Sequence, residues 1–191
     1  MKTMVNNILN KIIAQDLIEP LGYLPKGLIC GTMLVAALIL VNGLWYQYRR
    51  CLFIYLSKVI FLGLFVAYIY ILLQLAYFSR LPGSRNTISL FLGETWQDSV
   101  QSKAYVLENI LMMIPFGLLL PRVLKPAESI FCCIPLGFFF SVSLEYAQFL
   151  SQRGHMQVDD VVMNVMGTAI GYLLFVSIKL LCKLYKYLKE K

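Results

Sequence analysis

Apolar residues fall into long runs along this chain, with short polar clusters between them. Residues 27–48 and 59–79 hold no charged side chain. Each run is long enough for a helix that crosses the ~30 Å hydrocarbon core of a bilayer. Shorter runs follow at 109–121, 129–144 and 161–178. The first of these covers only about 20 Å as a helix. Its helix must therefore reach back through Tyr105, Val106 and Leu107, carrying Glu108 and Asn109 in its outer turns. The second continues past Glu145 to Leu150. Ahead of all five, residues 4–19 place Val5, Ile8, Leu9, Ile12, Ile13 and Leu17 at helical spacing, with Asn, Lys, Gln and Asp on the other side. Such a helix lies in an interface rather than crossing it. Pro20, Gly22 and Pro25 predict a break after it. The expected fold is all-α: a polytopic helical membrane protein with about five transmembrane helices and an N-terminal interfacial amphipathic helix. Residues 1–27 would form that helix and a linker, and residues 28–191 the membrane domain. Arg80 to Lys103, rich in Gly, Ser, Asn and Thr, is the long loop.

Composition sharpens the membrane reading. Of 191 residues, 59% are hydrophobic and only 14% charged, and the mean hydropathy is +0.71. A soluble domain carries more polar surface than this. The net charge of +7 is explained by topology. Arg49, Arg50, Lys58, Arg122, Lys125 and the lysines from Lys179 to Lys191 fall on one side of the expected spans, against only Glu128 and Glu190. The positive-inside rule makes that side cytoplasmic, with the C-terminus inside and the N-terminus outside. No nucleic-acid partner is implied. No cleavable signal peptide is expected, because Lys2 is followed by polar residues and not by an apolar core with a cleavage site. The five cysteines form no CxxC pair and read as small buried hydrophobes.

Against this background "EYAQFLSQRGHMQVDDVVMNVMG" (145–167) is conspicuously polar. A charge inside a span costs a few kcal/mol on insertion scales, so an intramembrane carboxylate is a functional candidate by default. Glu145, Gln148 and Gln152 fall on one stripe of the fourth span; Asp160, Asn164, Gly167 and Gly171 fall on one stripe of the fifth. The glycines allow close helix approach. The neighbouring fourth span is the expected partner, with Glu145, Arg153 and Asp160 coupled and Asn109 and Asn164 as their hydrogen-bonding wall. Asp159 suits the start of the fifth helix as a cap. Pro115 reads as a kink. His155 reads as a loop residue. No metal or cofactor is expected, since hard cations want more oxygens than Glu145, Asp159 and Asp160 offer.

Two stretches carry a family resemblance. "ENILMMIPFGLLLP" (108–121) and "SVSLEYAQFLSQRGHMQVDDVVMNVMGTAIGY" (141–172) resemble the VanZ-like family. That pattern has an Asn before an apolar run ending in P-[FL]-G-x-L-L, then [IL]-E-x-x-Q, an R-G loop, and D-[ILV]-D-D-x-x-x-N-x-x-G-x-x-x-G. "SRLPGSR" (79–85) resembles the family's segment before the third span, and the likeness covers residues 79–178. The matched positions are Arg85, Asn109, Pro115, Gly117, Glu145, Gln148, Arg153, Asp159, Asp160, Asn164, Gly167 and Gly171. Two departures stand out: Ser89 where Asn is usual, with no Pro-Phe pair after it, and Gln157 in place of the first Asp.

The resemblance implies a bacterial cell-envelope, multi-pass membrane protein, from a family named for lowered susceptibility to teicoplanin, a glycopeptide with a fatty tail. It implies no reaction. The leading expectation is therefore a binding module. Arg80, Arg85 and Arg153 suit anionic groups, and the carboxylates and amides suit the sugar or peptide groups of a lipoglycopeptide or a lipid-linked envelope intermediate. The alternative is an enzyme using Glu145 and Asp160 as paired carboxylates on such an intermediate. A small transporter ranks third, because no internal repeat is visible.

Overall fold

The computed structural model describes residues 2–44, 52–83, 87–93 and 99–190. Five helices in it are long and apolar enough to cross a membrane. They are α1 (Lys2–Leu44), α2 (Leu52–Leu73), α3 (Val100–Val123), α4 (Ile130–Leu150) and α5 (Val158–Lys189). A π-helical turn, Gln74–Phe78, extends α2, and a 3-10 turn, Lys125–Glu128, joins α3 to α4. The all-α membrane architecture expected from the apolar runs is the one observed.

Three boundaries differ from expectation. The break at Pro20, Gly22 and Pro25 does not occur: α1 passes through both prolines, and its span is Ile18–Leu40. Each proline removes one hydrogen bond from the helical ladder, and spanning helices tolerate such gaps. The stretch is held by packing instead. A Cβ on Gly31 would lie 2.4 Å from the carbonyl oxygen of Gly63 on α2, so the two backbones nearly touch. The C-terminal lysines extend α5, whose 32 residues make it about 48 Å long and longer than a hydrocarbon core. Within the long loop, Ile88–Ser89 (β1) pairs in parallel with Met156–Gln157 (β2).

The core sits between α2, α3, α4 and α5. Leu72, Met113, Phe116, Cys133, Leu144 and Phe175 are buried in it. Phe116 packs its ring 5.7 Å from Phe65 and 5.0 Å from Phe140. α3 also passes unbroken through Pro115. The hydroxyl of Tyr68 donates to the carbonyl of Met112 at 2.9 Å, in the turn that the proline ring crowds.

The glycine stripe of α5 faces α3, and not α4 as expected. A Cβ on Gly167 would stand 2.2 Å from the carbonyl oxygen of Ile110, and one on Gly171 2.0 Å from that of Ile114. Gly117 reciprocates, with its Cβ position 2.0 Å from the carbonyl oxygen of Thr168. α4 meets the adjoining face of α5 through Gly137 against the Thr168 side chain and Ser141 against Asn164. Opposite the polar end, Lys179 pairs with Glu128 and holds that exposed carboxyl below its ordinary value.

Candidate functional site

The polar residues gather where α2 ends, α3 begins, α4 ends and α5 begins. The π turn is the starting point, because it leaves main-chain carbonyls without their usual helical partners. Gln148, on the buried face of α4, donates Nε2 to the carbonyl of Ala76 at 2.8 Å. Arg153 donates Nη1 to the carbonyls of Tyr77 at 3.3 Å, Phe78 at 3.4 Å and Arg80 at 2.8 Å, with its guanidinium 5.1 Å from the Tyr77 ring centroid. These two side chains fasten the end of α2 to α4.

The expected coupling of Arg153 with Glu145 is therefore corrected. The guanidinium is engaged by carbonyls and an aromatic face. Arg80 is the arginine that interacts electrostatically with both Glu145 and Asp160. Its Nη1 lies 3.0 Å from where a Cβ on Gly154 would be. Arg85 lies outside the described residues.

The linker from α4 to α5 is shaped to deliver this arrangement. Gln152 has φ 56°, the left-handed region that non-glycine residues rarely adopt. It turns the chain off α4, so Gln152 leaves the stripe that it was expected to share with Glu145 and Gln148. The β1–β2 ladder then ties this linker to the long loop, with Ile88 opposite Met156 and Ser89 opposite Gln157. The two departures from the family pattern, Ser89 and Gln157, are thus register partners. His155 bonds to Thr87 across the same seam. At the ladder's end the main-chain N–H of Gln157 donates to Oε2 of Glu145 at 3.3 Å.

The two aspartates part company. Asp159 is not the cap of α5; that position is Gln157. Asp159 is buried in the first turn and accepts from the main-chain N–H of Gly93 at 2.8 Å, a tie between helix and loop. Gly93 can adopt its φ of 96° because it lacks a Cβ. Asp160 accepts from Nδ2 of Asn109 at 2.8 Å, so α3 and α5 meet through a polar pair. Asn164 lies deeper and donates to Ser141 Oγ at 2.9 Å; its buried Oδ1 has no hydrogen-bond partner among the described residues. Of the expected unit, Glu145, Asp160 and Asn109 come together, Asn164 joins α4 to α5 below them, and Arg80 supplies the cation.

A cavity of about 320 Å³ opens beside this cluster. Its lining combines polar side chains, those of Glu19 of α1, Arg80, Glu108, Asn109, Glu145 and Gln148, with apolar and aromatic ones, those of Tyr68, Ile71, Leu72, Leu75, Leu111, Met112 and Pro115. Glu19, Ser141, Gly93 and Gly154 were not picked out by sequence reasoning. Ser141 had a legible signal, since 141, 145 and 148 continue one helical stripe. Glu19 had none, because only the tertiary path of α1 brings it to the cavity.

These features define a class: a polytopic helical membrane protein with a buried polar cluster beside an amphiphilic cavity. The sequence model of the VanZ/LLP1 family matches residues 53–181, and the chain belongs to that family. The match takes in α3, α4, most of α5 and the whole polar cluster except Glu19. No curated protein and no solved structure matches the chain.

Proposed function

We propose that this chain is a cell-envelope protein that holds the apolar tail of a polar-headed molecule in its cavity, and thereby lowers susceptibility to lipoglycopeptide antibiotics. The mixed lining carries the reading: charged and amide groups together with hydrocarbon and aromatic side chains. The volume of about 320 Å³ sits at the low end for ligand pockets, room for one aliphatic tail and part of a head. It supports an envelope lipid, or the fatty tail alone of a lipoglycopeptide.

The test is lipid analysis of the purified full chain. Wild type should retain a defined lipid, and Leu111→Trp, which fills the cavity from one of its apolar lining positions, should lose it. The same variant should forfeit protection against a fatty-tailed glycopeptide. Equal lipid retention by both proteins would sink the reading.

The proposal also sets an orientation. The basic residues at the Lys125 and Lys179 end support a cytoplasmic placement for that end, and an outer placement for the cluster. In a cysteine-free background, a membrane-impermeant thiol reagent on intact cells should label Pro82→Cys and spare Pro126→Cys. The reverse pattern would invert the protein.

A second reading is favoured by one observation. Glu145 lines the cavity, and its electrostatic neighbour Asp160 is held by Asn109. Such a pair suits acid–base chemistry on a lipid-linked intermediate. Glu145→Gln would then abolish turnover while leaving lipid retention intact.

A further inference from the structure

The end of α5 away from the polar cluster outruns the bundle. Residues 161–178 hold no charge, and as helix they cover about 27 Å, close to one hydrocarbon core of ~30 Å. Lys179 then pairs with Glu128, in the turn that joins α3 to α4. Beyond that pair α5 runs on as helix to Lys189, about 15 Å further. A headgroup layer adds only about 5–8 Å on each side of the core. Leu184 and Leu188 therefore stand outside the bilayer. Every residue from 177 to 190 is exposed.

The extension has two unlike faces. Lys183 and Lys186 follow Lys179 at i+4 and i+7, so they share the face that Lys179 turns to its own bundle. Leu181, Leu184 and Leu188 fall on the opposite face; Leu184 is 54% and Leu188 63% exposed. Leucines held so in water form an apolar face that calls for a cover. The stripe begins inside the span. Met166, Ile170, Leu173, Ser177, Leu180 and Leu184 follow one another at alternating steps of four and three residues, and all are exposed. This is the 3.5-residue repeat of a coiled-coil seam, continuous from span to extension. Inside the bilayer lipid covers such a seam; beyond it lipid does not reach. Laying the extension back on the bilayer surface needs a sharp bend, and no glycine or proline follows Gly171. We infer that α5 pairs in parallel with α5 of a second copy of this chain along the seam. The membrane holds every copy in one orientation, so a two-fold axis along the bilayer normal sets each seam residue against its twin. The lysines turn away from that axis, towards Glu128 of their own chain, so like charges stay apart. No described lining residue of the cavity belongs to α5, so the pair leaves the cavity open and is independent of what it holds.

Single cysteines in an otherwise cysteine-free full chain, oxidised in native membranes, test the seam. Leu180→Cys and Leu184→Cys should give disulfide-linked dimers of this chain roughly tenfold faster than Lys183→Cys, because only seam positions bring two Cα atoms within the ~7 Å that a disulfide needs. A chain that keeps only its native Cys182, on the lysine side of the helix, should crosslink as poorly as Lys183→Cys. Leu184→Glu changes a side chain outside the bundle. It should leave the detergent melting midpoint where it was and shift native mass spectra from dimer to monomer. Equal crosslinking at 183 and 184, or none at any seam position, overturns the pairing. So does a dimer that survives Leu184→Glu. A Leu184→Cys product that joins this chain to a different protein overturns the second copy as the occupant of the seam.

Discussion

Gly171→Leu is expected to collapse the α3–α5 interface. The Cβ position of Gly171 lies 2.0 Å from the carbonyl oxygen of Ile114, and that of Gly117 2.0 Å from the carbonyl oxygen of Thr168. In both cases the obstacle is backbone, so no rotamer change relieves it. The helices must separate along their length, which also strains the Asn109–Asp160 bond above. Overpacking of this kind costs about 3 kcal/mol or more. For a chain of this size that corresponds to a fall in melting midpoint on the order of 10 °C. Gly117→Ala should behave alike from the other helix. Gly22→Ala is the control: nothing lies within 4 Å of its Cβ, and alanine is the better helix former. Detergent melting of the three variants decides the matter. An unchanged midpoint for Gly171→Leu would mean that this face of α5 looks towards lipid.

That interface shows where the sequence could and could not be read. The close-approach stripe on α5 was legible because small residues at helical spacing have few other uses in a span. Its partner was not. The fourth span was expected because chain neighbours usually pack together. Yet α5 carries two adjoining small or polar faces, Gly167 with Gly171 and Asn164 with Thr168. α3 takes the first, where Gly117 answers it; α4 takes the second through Gly137 and Ser141. Nothing in linear order says which face goes to which helix.

The other misreadings have local causes. Pro20 and Pro25 were read with the weight they carry in water, whereas packing of Gly27 and Gly31 on α2 carries the helix through them. Arg153 was assigned to Glu145 by charge. Its partners are carbonyls of a π turn, at Tyr77 and Phe78, and of Arg80 just beyond it, and no residue type marks such a turn in advance. The β1–β2 ladder is too short to give an alternation signal. The carboxylates themselves were legible, because charges in so apolar a chain have to be accounted for one by one.

Asp160→Asn should separate the charge of the cluster from its shape. Asn109 donates Nδ2 to Oδ1 of Asp160, and an asparagine at 160 can still present an oxygen there. Volume, helix start and hydrogen bond survive, so the stability should stay within about 1 kcal/mol of wild type. What disappears is a negative charge felt by Arg80 and Glu145. If the cluster works through that charge balance, protection against a fatty-tailed glycopeptide should be lost in a protein that is folded and inserted. Asn109→Ala supplies the contrast. It leaves the carboxyl without its amide donor, at a cost of about 1–3 kcal/mol, and should lower stability and protection together. The two variants therefore split charge from scaffold at one contact. A normally folded Asp160→Asn protein with full protection would show that this carboxylate serves only as an acceptor for Asn109, and would move the functional weight of the cluster to Glu145 and Arg80.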